Sequence, residues 1–526
     1  MGRGGSSQLE RHHSRRFQLS LVLEGLLVGL VGGGVVSLYR VALAEAERLL
    51  RLATGSAAGD PALMVGWALL LVAMLLVVTL LVRWEPATSG SGIPQVDAEV
   101  AGQLDAPWRR VIPAKFAEGT LTALAGLSLG REGPSVQLGG MCGKGVSRAL
   151  GRKRGEERLL VTCGAAAGMS AAFHAPFTGV LFALEEIHRE FSAPLIISVM
   201  CSAVASDFLV SQVVGVEPVM ALAFAQDLPH PDYALVVGLG LVCGLLGALH
   251  NRGMFACQSL FSRLRSHLPL SRLAVPFALA WVVAFTWPAL MCGGDALLEP
   301  LLSGSAPGLV GLLALLASKY AYTTVCFGSG APGGTLFPLV VLGALVGAVF
   351  ASACAPLGLD ATFLPNFVAL GVAGLFSGVV RAPVTAVVLV FELTGSLDAL
   401  LSVCIVSIVA YVASGLTKTD AFYEHLLAGL LDDLDVEVAA GPSGGEKDLG
   451  RACVGWGSHL EGMLVREVPW PDGLRLVTIE RAGTELVPTG DTELCAMDEL
   501  LFIADEDALE DARLKLRLMC APRVRE

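Results

Sequence analysis

Six apolar runs, at 17–39, 63–82, 233–249, 273–291, 308–327 and 400–416, restrict this chain more than any other feature. A predominantly apolar stretch of about 20 residues crosses the hydrocarbon core of a bilayer as a helix. Lipid offers no hydrogen-bond partner, so a spanning backbone must satisfy its own N–H and C=O groups, which leaves helices or a closed barrel. Unalternating runs of this length read as helices. Charged residues are only 16% of the chain and apolar residues 54%, against about 25% charge in soluble domains. The chain is therefore expected to be an all-α polytopic membrane protein, and a soluble enzyme is excluded.

The first run is too long for the apolar region of a signal peptide and continues in a helical pattern through Leu50. Arginines precede it at Arg3, Arg11, Arg15 and Arg16. Basic residues also fill the loops around Arg148–Arg158 and Arg252–Arg272, whereas the connections near Asp60, Asp232, Asp295 and Asp360 are acidic or neutral. The positive-inside bias then places both termini in the cytoplasm. The net charge of −12 owes much to the acidic tail and gives no sign of nucleic-acid binding. Twelve cysteines are scattered singly, without CxxC or metal-ligand spacing, and read as small hydrophobes. Neither a metal nor a cofactor is expected.

Two segments repeat. GAAAGMSAAFHAPFTGVLFALEEI at 164–187 and GVAGLFSGVVRAPVTAVVLVFELT at 371–394 share Ala-Pro-x-Thr, with a glutamate nine residues after each proline: Glu185 after Pro176, and Glu392 after Pro383. Glycines also recur five and nine residues after Pro134 (Gly139, Gly143) and after Pro338 (Gly343, Gly347). The two anchors lie 42 residues apart in one half and 45 in the other, which indicates an internal duplication. Duplicated membrane halves with Gly/Pro-interrupted segments point to a transporter whose site lies between the repeats. Each Gly-Pro junction frees backbone N–H groups at a helix start, backed by the positive end of the helix dipole. Several such starts aimed at one spot would hold an anion. One junction, GREGP at 130–134, also carries Arg131 and Glu132. An ionisable side chain at membrane depth costs roughly 2.5–3.5 kcal/mol on insertion scales, so Glu132 is a functional candidate.

Beyond about residue 430 the composition changes. GPSGGEKD at 441–448 reads as a flexible linker. Alternation then predicts strands at Leu474–Thr478, Leu486–Val487 and Leu500–Ile503, and a helix over 505–519. This is a small α+β module.

GSGIPQ at 90–95, GREGP, the GAAAG…FHAP…LEE segment and GxxxP at 334–338 occur in order. Together they resemble the CLC family of chloride channels and chloride/proton antiporters over roughly residues 17–430. The tail pattern VxIERxGxELVPTGDTxLxxxDELLFI resembles the RCK_C (TrkA-C-like) module. The resemblance implies a CLC-type inverted repeat of broken and tilted helices plus a small cytosolic α+β domain. The expected division is a cytosolic segment 1–16, a membrane domain 17–430 with halves near 17–215 and 233–420, a linker 431–455 and a cytosolic domain 456–526. The expected location is the bacterial inner membrane. Implied partners are chloride, protons, a second copy in a homodimer, membrane lipid and a small regulatory ligand at the C-terminal domain. No nucleic acid is expected.

Residue by residue, the resemblance makes Ser91 a hydroxyl donor to the anion, in the chloride-type rather than the fluoride-exporter context. Gly92, Gly133, Thr335 and Leu336 line the site through the backbone, and Tyr423 closes its inner side. Glu132 becomes the external gate, competing with chloride for the same amides and taking up a proton when it leaves. Arg131 serves through its backbone N–H. Glu186 is the internal proton stop that favours an antiporter over the alternative, a passive voltage- or pH-gated chloride channel. Glu185 has its repeat counterpart in Glu392 and is expected to serve structure, at a helix end or between subunits. His174 is expected to cap a helix start, and Lys115 and Asp97 to form a buried charge pair. The GxxxP motif departs from the family's GxFxP, since Phe337 stands one place later; its backbone donors do not depend on that side chain. An intramembrane enzyme built on Ser91 would need a base beside it, and none is in evidence.

Overall fold

The computed structural model describes residues 4–152, 154–189, 191–215, 224, 228–263, 270–302, 307–396, 398–438, 447–455, 458–471, 473–481, 484–496, 498–505, 515–516 and 519–520. The chain divides into two compact units, 1–432 and 433–526.

In the first unit, seven helices among the described residues are long and apolar enough to span a membrane: Ser20–Ala57, Pro61–Trp84, Leu195–Val214, His230–Ser262, Leu309–Gly328, Leu336–Leu357 and Ala361–Val380. The second shows how the sequence sets such an element. Asp60 caps it by accepting from the amide of Ala62 at 2.9 Å, and Pro61 occupies the first turn, where its missing N–H leaves no bond unmade. Trp67, Leu71, Met74 and Val78 fall on one helical face and are buried, while Val65, Leu69, Leu76 and Leu80 lie exposed on the other, as lipid requires. The run at 273–291 does not form one helix. Leu270–Thr286 stops before Pro288, which forces Trp287 out of the helical region, and a 3₁₀ turn follows.

The last two spans are the most enclosed, with 78% and 89% of their apolar windows buried inside the protein. They form half of a repeated unit. Helix Glu132–Ala149 packs on Arg154–Phe173, and helix Leu336–Cys354 packs on Leu364–Val380. The recurring glycines sit where these helices touch. Gly139 faces the backbone of Gly164 and Gly168, Gly143 that of Leu160, Gly343 that of Gly371 and Val372, and Gly347 that of Phe367 and Val368. Small residues at such contacts let helix backbones approach closely without a side chain between them. Each pair then ends alike: His174 (φ 58°) and Arg381 (φ 67°) turn left-handed, and the short helices Pro176–Phe182 and Pro383–Thr394 begin after them.

Among its described residues the second unit carries four antiparallel strands, β1 (Lys447–Cys453), β2 (Arg475–Arg481), β3 (Thr484–Leu486) and β4 (Glu499–Asp505), in the order β1-β4-β2-β3. Val454, Leu460, Ile479, Leu500, Phe502 and Leu516 form its core. Buried Asp498 receives two Arg481 nitrogens, each at 2.7 Å, and the Cys495 amide at 2.8 Å. The expected linker 431–455 is corrected by the structure. Helix Phe422–Val438 runs into it and β1 lies inside it, paired along its length with β4. That long-range pairing outweighs a composition that reads locally as coil. Most of the helix expected over 505–519 lies outside the described residues.

A Cβ at position 347 would sit 2.7 Å from the Phe367 carbonyl carbon and 2.9 Å from Val368 Cα. Gly347→Ala should therefore destabilise the membrane unit by about 1–3 kcal/mol through overpacking. Gly429→Ala, with no atom within 4 Å of the new Cβ, should be neutral or stabilising by up to about 1 kcal/mol. Thermal unfolding of the two detergent-solubilised variants checks the contrast, and equal midpoints would contradict it.

Candidate functional site

The repeat halves meet at two glycines. The amide of Gly130 donates to the carbonyl of Gly334 at 2.7 Å, and the amide of Gly334 returns a bond to Gly130 at 2.7 Å. One residue pair thus joins the approach to helix Glu132–Ala149 with the approach to helix Leu336–Cys354. The Gly90 turn joins the same seam, with Gly90 donating to Gly330 at 3.1 Å and Gly333 donating to Gly90 at 3.0 Å. Gly90 (φ 70°) and Gly92 (φ 98°) adopt the left-handed region on either side of Ser91, and helix Ile93–Ala101 starts directly after.

The sequence-predicted residues converge here. Buried Ser91 lies against Gly133: a Cβ there would be 2.5 Å from the Ser91 hydroxyl oxygen. Thr335 precedes the first turn of helix Leu336–Cys354, and both Thr335 and Leu336 are buried. Tyr423 opens helix Phe422–Val438 from the other side. Its ring stacks edge-on to Phe182 with centroids 6.1 Å apart, and its hydroxyl faces Thr335 and Ser91. The Glu132 carboxylate folds back toward its own amide and that of Phe337, so it lies at two helix starts at once. Arg131 sets its guanidinium 5.6 Å from the centre of the Phe337 ring. The Ser91 hydroxyl, the Tyr423 hydroxyl and both Glu132 oxygens are buried and find no hydrogen-bond partner of normal geometry among the described residues. Unpaired polar atoms are costly in a dry interior and mark a place meant for a ligand. Helix-start amides, two hydroxyls and no obligatory cation suit a small monovalent anion.

Glu186 lies elsewhere, on a π-helical turn, Ala183–His188, of the kind often found at functional sites. It is buried, and its carboxylate lies 3.9 Å from the Arg189 guanidinium, which also reaches Asp97 at 3.4 Å. The expected Lys115–Asp97 pair is not formed. Lys115 Nζ instead donates to the carbonyls of Thr88 and Gly90, both at 2.8 Å, while Asp97 faces Arg189. The Gly90 carbonyl also accepts from the Gly333 amide, so the lysine binds at the seam that joins the halves. Glu118, one helical turn on, accepts from the Thr88 hydroxyl at 2.9 Å.

Lys319 escaped the sequence reading. It donates to the carbonyls of Leu290 and Cys292 at 3.0 and 2.9 Å. Lys115 precedes Pro134 by 19 residues and Lys319 precedes Pro338 by 19, a spacing that could have revealed it as the repeat counterpart. A second cluster also had no local signal. Buried Lys144 bonds both Glu99 oxygens at 2.7 Å and pairs with Asp105 at 2.6 Å.

The repeated glutamates act across the duplication. Glu185 accepts from the amides of Val384 and Thr385 (3.2 and 2.8 Å) and the Thr385 hydroxyl (2.7 Å). Glu392 accepts from Phe177 and Thr178 (2.9 and 2.7 Å) and the Thr178 hydroxyl (2.6 Å). Each carboxylate caps the short helix of the opposite half. His174, expected as a cap, instead turns the chain left-handed and pairs with Asp207 at 2.7 Å.

Comparison with known proteins bears on this arrangement. Residues 72–415 match the family described as voltage gated chloride channel, and residues 454–517 match the TrkA-C domain. The H(+)/Cl(-) exchange transporter ClcA of Cronobacter sakazakii is 33% identical over 454 residues, covering 81% of this chain and 93% of that protein. ClcA of Citrobacter koseri is 32% identical over 447 residues, covering 80% and 91%. A slow cyanobacterial Cl-/H+ antiporter aligns in structure with a TM-score of 0.74 at 26% identity, over 79% of this chain and 99% of that one.

Removing either cross-repeat carboxylate strips three donors of a charged acceptor. Glu185→Ala and Glu392→Ala should each destabilise the membrane unit by at least about 2 kcal/mol, and by similar amounts, since hydrogen bonds to charged groups contribute about 1.5–3 kcal/mol each. Thermal unfolding in detergent reads both, and a large loss at one position with none at the other would refute reciprocal capping.

Proposed function

This chain belongs to the voltage-gated chloride channel (CLC) family, and we propose that it exchanges chloride for protons across a membrane. The observation that carries the reading is the Glu132 carboxylate, buried and unpartnered beside the amides of two helix starts. A carboxylate and a chloride ion bear the same charge and suit the same donors, so either can occupy the place and each displaces the other. Protonation removes the charge of Glu132 and its claim on those amides. The carboxyl then leaves with its proton as chloride enters. Chloride sits between the hydroxyls of Ser91 and Tyr423 and the backbone of Gly92, Gly133, Thr335 and Leu336, while Arg131 flanks the path and lies over Phe337.

One carboxylate cannot carry a proton across the whole thickness of the protein, so a second stop is needed. Glu186 is that stop. It is buried one side chain beneath the surface, under the partly exposed Arg189, and Tyr423 lies within electrostatic range of both glutamates. The basic loops favour cytoplasmic termini; on that reading Glu132 faces the external side and Glu186 the internal side. The protein works in a bacterial inner membrane as a homodimer in lipid, and its TrkA-C domain takes a small regulatory ligand.

The test uses the full chain in lightly buffered vesicles under a chloride gradient, with pH change and chloride efflux recorded together. The parent should move protons against their gradient. Glu132→Gln and Glu186→Gln should each abolish proton movement and still pass chloride, because an amide cannot ferry a proton. A parent that passes chloride without moving protons would make the protein a passive channel.

A further inference from the structure

We propose that Glu47 and Asp295 form an external proton port that loads Glu132, an inference that rests on the exchange reading above. Two cavities lie in series at this end of the protein. The inner one, about 30 Å³, is lined by Tyr39, Glu47, Arg131, Glu132, Asp295 and Phe337, among others. The next, about 380 Å³, is lined by Glu47, Arg51, Asp295 and the backbone around Cys292–Gly294. Glu47 and Asp295 line both, which sets the two carboxylates where the chambers adjoin. The inner cavity has room for about one or two waters, and the unpartnered oxygens of Glu132 lie at its end.

The loop that presents Asp295 is fixed. Lys319 holds the carbonyls of Leu290 and Cys292, Gly294 turns left-handed at φ 101°, and Gly293 packs against Phe337. Glu47 projects from the long first helix and lies 3.8 Å from Arg51. Among the described residues, Arg51, Arg131, Lys319 and Cys292 face the two carboxylates, Glu47 and Asp295 face each other, Glu132 faces Asp295, and Tyr39 lines the same cavity. Arg51, Arg131 and Lys319 balance the charge of Glu47, Asp295 and Glu132 when all three acids are ionised.

Carboxylates are poor company for an entering chloride, and their presence at its mouth calls for another role. A proton taken from external hydronium by Glu47 or Asp295 passes through water in the inner cavity to a Glu132 oxygen, and the donor returns to its ionised form. While the port is protonated the mouth is net positive, so an outgoing anion is drawn toward the mouth as the proton moves inward to Glu132. A charged cleft of this kind raises local counter-ion concentration and arrival rates by about 10–10³.

The experiment measures chloride-driven proton movement by the full chain in vesicles as a function of external pH, for the parent and for the Glu47→Gln/Asp295→Asn double variant. The double variant should exchange about tenfold or more slowly than the parent at alkaline external pH, where protons are scarce. It should approach the parent at acidic external pH, with the chloride-to-proton ratio unchanged. Glu47→Asp/Asp295→Glu, which keeps both charges, should restore the parent's pH profile. In a Glu132→Gln background, where no proton is carried, the double substitution should leave chloride efflux level or raise it, because two negative charges leave the mouth. Matching pH profiles for parent and double variant overturn the port alone. A comparable fall of chloride efflux in the Glu132→Gln background also overturns it, since the carboxylates would then shape the anion path. A parent that moves no protons overturns the exchange reading and the port together.

Discussion

The reciprocal hydrogen bonds between Gly130 and Gly334 hold the rest of this structure in place. They bring the two halves of a duplicated chain to within a single backbone contact, and only glycine permits it. A Cβ at Gly334 would sit 2.8 Å from the Gly133 amide, and one at Gly130 would strike the Glu132 carboxyl and Pro338. With the seam closed, the helices that begin at Glu132 and Leu336 start side by side, and the Ser91 turn closes a third side through Gly90. Irregular backbone at membrane depth survives only where protein encloses it. Here the enclosure also holds the proposed anion site.

Much of this was legible in the sequence because a duplication prints the same physical requirement twice. The glycines after Pro134 and Pro338 mark helix contacts, and the glutamates after Pro176 and Pro383 mark caps, although sequence alone left open whether Glu185 served a helix end or a subunit contact. The parts that were not legible depend on long-range geometry. Lys115 bonds the carbonyls of Thr88 and Gly90, the latter shared with the Gly333 amide, rather than Asp97. Arg189 took Asp97 through a left-handed turn at φ 58° that no local pattern announces. In the second unit, β1 hid in a span that reads as coil because its pairing lies with β4, some fifty residues further on.

The duplicated scaffold is symmetric where it bears load and asymmetric where it carries charge. Offset by the 204 residues between Pro134 and Pro338 (338 − 134), Glu132 corresponds to Leu336 and Arg131 to Thr335. The lysines match and the caps match, but the proposed titratable gate occurs once. A leucine at the equivalent place offers amides without a competing carboxylate. On the exchange reading, that difference gives the path a proton-sensitive end and an insensitive interior.

The paired caps also bear on how fast such a machine can turn over. Each half holds the other's short helix through three hydrogen bonds to a carboxylate, six in all. A rocking step that broke all six would cost on the order of 10 kcal/mol, a barrier out of keeping with rapid cycling. The frame is therefore a stator, and the moving parts reduce to side chains and ions. Exposed rotamers change on picosecond-to-nanosecond scales, against microseconds to milliseconds for domain motions. The clock of the cycle then falls to the arrival of protons and anions and to the packing that confines a few side chains, so rates can diverge widely among proteins that share one rigid fold.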